Sequence, residues 1–240
     1  MDDDVWPVVM EALSAIQDVP NLSHQFGAKK RVARGGYSEV YRAEWIQSGT
    51  RAPVNVCYKV LKPPISNMPS DVEEMRKTMK HLRREMKVWK DLDHENIVKF
   101  IGFAIDDRNG GPEAALVSEW CSNGNLDQYL RCKGSCNRMA LVLDVARGLT
   151  YLHGRDSVVV HGDLKPPNIL ISDTGHAKLC DFGLSSIADG MTTGFTSSGP
   201  AFTLRYCAPE AVVTDNHVKT TAGDVYSFAC TCAMVSPHNS

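Results

Sequence analysis

Between Val159 and Ile171 the sequence reads VVHGDLKPPNILI, in which apolar strand-formers bracket a carboxylate, a cation and an amide: Asp163, Lys165 and Asn168. A second carboxylate, Asp181, follows in LCDFGLS. Carboxylate, amide and carboxylate converging at strand ends form an oxygen-donor set suited to Mg2+ beside a phosphate, and a carboxylate in the same set can orient an attacking hydroxyl. Lys59 in VCYKV, after a Gly-containing turn, supplies a cation for phosphate oxygens. These are the parts of a phosphoryl-transfer site.

Such a set needs strands and helices to hold it. Residues 1–24 combine helical spacing (Val8, Val9, Ala12, Leu13, Ile16) with Pro7, which predicts a short amphipathic helical extension. From 28 to 62, KKRVARGGYSEVYRAEWI and APVNVCYKVLK flank the turn QSGTR and predict an antiparallel hairpin followed by a third strand. DVEEMRKTMKHLRREMKVWKDL places apolar residues at 72, 75, 79, 82, 86 and 89, the steps of a long helix capped by Ser70 or Asp71. NIVKFIGFAID and AALVSEW read as two more strands around DRNGGPE. LDQYLR and CNRMALVLDVARGLTYLHGR are helical, the latter through apolar positions 139, 142, 143, 146, 149 and 152. Short strands at 158–160, 169–171 and 177–180 surround the opening motif, and 185–206 is a Ser/Thr/Gly-rich loop of functional length. A β-rich part, 25–120, thus precedes a helix-rich part, 121–240: an α+β chain.

With 240 residues, 43% of them hydrophobic, the chain can bury a real core. Its acidic start lacks the pattern of a secretory signal, and no window is apolar enough for a membrane span. The eight cysteines form no CxxC pair, which argues against a zinc site or a disulfide framework and for reduced thiols in the cytoplasm. A net charge of −2 gives no nucleic-acid signal, and the basic face of 76–90 reads as a solvated helix surface. The residues carry no signal for an oligomeric state.

HGDLKPPN, DFG at 181–183, APE at 208–210, VCYK at 56–59 and DVYSFA at 224–229 resemble, in order and spacing, the signature set of the eukaryotic protein kinase family, in its tyrosine-kinase-like Ser/Thr group. The resemblance runs from about Val32 to Ala229. It implies a bilobal fold with a small antiparallel β-rich N-lobe carrying one long helix, and a helical C-lobe that here lacks its last helices, as in a C-terminally truncated chain. It implies ATP and Mg2+ as cofactors and a protein as substrate. Lys59, held by Glu85, would contact the α and β phosphates. Asp163 would take or orient the substrate hydroxyl proton, and Lys165 would stabilise the transferred phosphate. Asn168 and Asp181 would bind Mg2+. The nucleotide would meet Val32 and Gly35 of the Gly-rich turn, the apolar walls Val40, Cys57 and Leu170, and backbone groups of Glu119 and Cys121 beyond the gatekeeper Ser118. Lys165 resembles the Ser/Thr branch, so Ser/Thr hydroxyls are the expected acceptors.

Two departures bear on activity and regulation. VARGGYSEV keeps Gly35 but has Ala33 and Ser38 where the family places glycines, which predicts weakened nucleotide affinity. Gly162 stands where the family has the Arg that reaches a phosphorylated activation loop, so one electrostatic switch is removed while Asp163 is kept. His161 reads as a structural histidine packed under Phe182, Asp224 as a backbone-binding support, and Cys180 as a buried thiol. The altered loop and the early end motivate a competing reading: a non-catalytic, pseudokinase-like nucleotide-binding or scaffold module, or an inactive fragment.

Overall fold

The computed structural model describes residues 18–34, 38–47, 49, 52–61, 83, 86–106, 113–133, 136–181, 186–187, 204–213 and 219–236. The chain forms two units, Met1–Leu92 with Lys99–Trp120, and Asp93–Val98 with Cys121–Ser240.

The first unit is built on β1 (Phe26–Arg34), β2 (Ser38–Trp45), β3 (Val54–Leu61), β4 (Phe100–Asp106) and β5 (Glu113–Glu119). They form one antiparallel sheet in the order β1-β2-β3-β5-β4. The alternation in VNVCYKVL decides which side is dry: Val56, Tyr58 and Val60 are buried, while Cys57 and Lys59 point to the other face. Ala43, Ala115 and Val117 join the dry face with Leu22 and Phe26. The Leu22 N–H donates to the Phe103 carbonyl (2.8 Å), and the Phe103 N–H donates to the Pro20 carbonyl (3.0 Å). Gly102 permits this approach, since a Cβ there would lie 2.4 Å from the Pro20 carbonyl oxygen. Residues 18–24 are therefore turns and a bridge, while 1–17 lie outside the described residues. Of the helix expected from Ser70 or Asp71 onward, Arg83 and residues 86–89 are described, and they are helical. Met86 is fully buried, and Trp89 stacks on Phe100 with ring centroids 5.0 Å apart.

The second unit begins with α1 (Leu126–Cys132), whose Asn125 and Gln128 form a reciprocal capping box. α2 (Arg138–His153) starts at the cap Asn137. After it come β6 (Val159–Val160), a 3-10 turn (Pro166–Asn168), β7 (Ile169–Ile171) and β8 (Ala177–Leu179), with β7 and β8 paired. β9 (Ser186–Ile187) pairs with β6, so the stretch expected as pure loop from 185 holds a short strand. α3 (Pro209–Val213) and α4 (Thr221–Val235) complete the unit.

The buried face of α2 differs from the apolar positions read in the sequence. Leu141, Asp144, Val145, Gly148, Leu149 and Leu152 are buried, whereas Met139 is 68% and Leu143 48% exposed. RMALVLDVARGLTYLH is apolar on more than one side, so periodicity leaves its rotation open. Tertiary contacts fix it. A Cβ at Gly148 would stand 2.8 Å from the Asn96 carbonyl oxygen, so that side must face the 93–98 strap. The Asp144 carboxylate, buried on the same side, accepts from the Ala177 N–H at 3.1 Å.

Candidate catalytic site

β6 delivers the chain to His161 and Gly162, and the 3-10 turn returns it to β7, so Asp163, Lys165 and Asn168 sit in the tight connection between two short strands. All three are buried. Lys165 Nζ lies 2.9 Å from Asp163 Oδ2. Asn168 Nδ2 donates to the same Oδ2 and to the Asp163 backbone carbonyl, both at 2.8 Å. An ionised carboxylate only accepts, so it must be the amide nitrogen of Asn168 that faces it and the amide oxygen that is turned away. Asp163 Oδ2 is thus occupied twice, while Oδ1 has no hydrogen bond among the described residues.

Behind this cluster, Cys180 is held on both sides of its backbone. Its N–H donates to the Asn168 carbonyl at 3.0 Å, and its carbonyl accepts from His161 Nε2 at 3.1 Å. The other ring nitrogen, Nδ1, accepts the Asp163 N–H at 3.3 Å. A ring that donates at one nitrogen and accepts at the other is neutral imidazole. Burial accordingly holds its pKa below the usual range, although Asp224, Asp163 and Asp181 pull the other way. With Cys180 clamped, Asp181 begins at φ +59°, a left-handed conformation uncommon for a residue with a side chain.

A second support comes from α4. The buried Asp224 carboxylate accepts the His161 N–H through Oδ2 and the Gly162 N–H through Oδ1, both at 2.8 Å. His153 Nε2, at the end of α2, lies 2.9 Å from Asp224 Oδ2. Gly162 takes φ +73°, where a Cβ would be strained. The backbone-binding role read for Asp224 is what these bonds describe. Phe182, expected over His161, lies outside the described residues.

Sequence reasoning missed Lys219, which stands just before the Thr220 cap of α4. Burial pushes its ammonium down to about 8, against the pull of Asp163 and Asp224. Cys207 shares this neighbourhood, and burial raises its thiol pKa. No spacing rule connects a lysine after a connecting segment to a carboxylate 56 positions earlier. Only the packing of α4 brings them into range.

In the first unit, Val40 pairs with Lys59, Lys59 with Leu116, and Cys57 with Ser118. Directly opposed residues share a face, so Val40, Cys57 and Lys59 line the side away from the dry core. Val32 sits at a register slip in β1 and is exposed. The Glu119 N–H donates to the Lys99 carbonyl at 3.0 Å, while its side chain accepts the Lys99 N–H at 2.7 Å. Its N–H thus serves the sheet. In the second unit Cys121 is buried, and Leu170 on β7 is half-buried. Gly35 and Glu85 lie outside the described residues. No three His, Cys, Asp or Glu side chains among the described residues form a metal cage. Asn168 and Asp181 offer oxygen donors, the hard type that Mg2+ takes in small number beside phosphates.

The match to known proteins agrees with this arrangement. Residues 26–236 match the family model described as protein tyrosine and serine/threonine kinase. The chain belongs to this family of protein kinases. It is 33% identical over 232 residues to receptor-interacting serine/threonine-protein kinase 3 of Homo sapiens, covering 93% of this chain and 39% of that protein. It is 34% identical to serine/threonine-protein kinase CTR1 of Arabidopsis thaliana, covering 83% of this chain and 22% of that protein. To serine/threonine-protein kinase VIK, also of Arabidopsis thaliana, identity is 34%, with 85% of this chain and 44% of that protein covered. The chain thus spans less than half the length of these relatives. Among the described residues no helix is long and apolar enough to cross a membrane.

Proposed function

We propose that this chain transfers the γ-phosphoryl group of ATP to Ser/Thr hydroxyls of a protein substrate. The carrying observation is the asymmetry of Asp163: Oδ2 is fixed by Lys165 and Asn168, and Oδ1 is left to meet a hydroxyl proton. In the reaction the substrate oxygen bonds to the γ-phosphorus, the bond to the bridging oxygen of ADP breaks, and the hydroxyl proton passes to Asp163 Oδ1. Lys165, already beside Asp163, stabilises charge on the transferred group. Mg2+, held by the Asn168 amide oxygen and Asp181, would neutralise phosphate charge when bound. In this reading Lys59 would contact the α and β phosphates, with Glu85 as its expected partner. Val32, Val40, Cys57 and Leu170 would be apolar contacts of the base, with Gly35 beside the phosphates and Glu119 and Cys121 offering backbone groups. All eight cysteines are free thiols, which suits a cytoplasmic setting.

The test is transfer of label from γ-labelled ATP to a generic protein substrate, followed by phosphoamino-acid analysis. Label on Ser and Thr supports the reading. Binding of MgATP with no transfer at any substrate concentration overturns it.

A further inference from the structure

Glu39 lies on β2 at the end of the β1–β2 ladder, opposite Arg34, with only 5% of its surface exposed. A buried carboxylate is costly unless several donors hold it. Here the donors come from both strands. Tyr41 Oη donates to Oε2 at 2.7 Å, Arg31 Nη1 donates to Oε1 at 3.3 Å, and Arg34 Nε stands 3.8 Å from Oε1. Arg31 and Arg34 straddle Val32, where the register slips, so one carboxylate spans the irregular part of β1 and ties it to β2. Glu39 shares the face of Tyr41 and Ala43, and its neighbour Val40 points to the face of Lys59. The clamp is therefore on one side of the sheet and the candidate nucleotide wall on the other.

We propose that Glu39 is a positioning residue for nucleotide binding: it locks the bulged end of β1 onto β2, so that Val32 and Val40 present a fixed apolar wall to the adenine. This rests on the ATP reading above. It also gives the two arginines, whose side chains are 58% and 66% exposed, a role beyond solubility. A strand end without cross-strand side-chain bonds frays on a fast timescale, and a frayed wall binds its ligand less tightly.

The experiment uses the full chain. Glu39→Gln keeps the shape and an acceptor for Tyr41 but removes the charge that holds the arginines. Its KM for ATP rises about three- to tenfold while kcat and the KM for protein substrate stay within about twofold. Amides of Ala33, Arg34 and Val40 exchange with solvent faster. The exposed-side double variant Arg31→Gln/Arg34→Gln reproduces both effects, and adding Glu39→Gln to it changes little further. A Glu39→Gln chain with a lower melting temperature but unchanged KM for ATP and unchanged exchange overturns the proposal, as does additivity with the arginine pair. A wild-type chain that binds no MgATP refutes the nucleotide reading instead. Exchange at Ala33 and Val40 then still decides whether Glu39 locks the strand end.

Discussion

Asn168 Nδ2 donates to both the carboxylate and the backbone carbonyl of Asp163, at 2.8 Å each. One amide therefore fixes the rotamer of the carboxylate and the peptide that carries it. Because both Nδ2 hydrogens are committed, Asn168 Oδ1 is the atom left for a cation. In the proposed reaction, positioning the base and offering a metal ligand would fall to opposite ends of the same side chain.

Replacing Asp163 with Asn keeps the volume and removes the proton acceptor. Phosphoryl transfer falls by about 10^2- to 10^4-fold, measured with γ-labelled ATP, and MgATP affinity by thermal shift is retained. Transfer at the wild-type rate would remove Asp163 from the chemistry.

Asp224 predicts a stability effect at a distance from the reacting atoms. Asp224→Ala leaves the buried His161 N–H and the Gly162 N–H without their acceptor and costs about 3–5 kcal/mol. The denaturant midpoint reports it. Asp224→Asn, which can still accept one of these bonds, loses less.

Gly162 makes a backbone prediction. At φ +73° a side chain meets the left-handed penalty, so Gly162→Ala destabilises by about 1 kcal/mol. The same substitution is near neutral if the loop relaxes to negative φ, and equal midpoints for the two chains would show that.

His161 gives the chain an acid limb. Burial holds its folded pKa below the unfolded value, so the unfolded state takes up a proton first as pH falls. Its contribution is complete above about pH 6.5 and is lost as pH drops toward the folded pKa. His161→Gln removes this dependence, and the slope of melting temperature against pH below about 6.5 becomes shallower. An unchanged slope would assign the acid limb to other groups.

Much of the site was legible because its signals are local. HGDLKPPN announces a carboxylate, a lysine and an amide within one loop, and the strand alternation around Lys59 announces which residues share its face. What stayed hidden depends on contacts between distant positions. The rotation of α2 is set by Gly148 against the Asn96 carbonyl and by Asp144 at Ala177, neither of which an apolar stripe records. Glu39 carries no signal in the sequence, because its bonds to Tyr41 and Arg31 and the approach of Arg34 exist only once β1 and β2 are paired. Lys219 had no motif, and its placement near Asp163 is a product of how α4 packs.

The grip of Asp224 on His161 and Gly162 also imposes an order on biosynthesis. The acceptor is made 62 residues after the second of the two amides it binds. At ribosomal rates of about 5–20 residues per second, the loop leaves the ribosome roughly 3–12 seconds before its anchor. Throughout that interval the backbone N–H groups of His161 and Gly162 lack the acceptor that holds them in the folded chain. The bonds among His161, Asp163, Asn168 and Cys180 close between residues no more than 19 apart and can form early, whereas the hold of α4 on the start of the loop is added last.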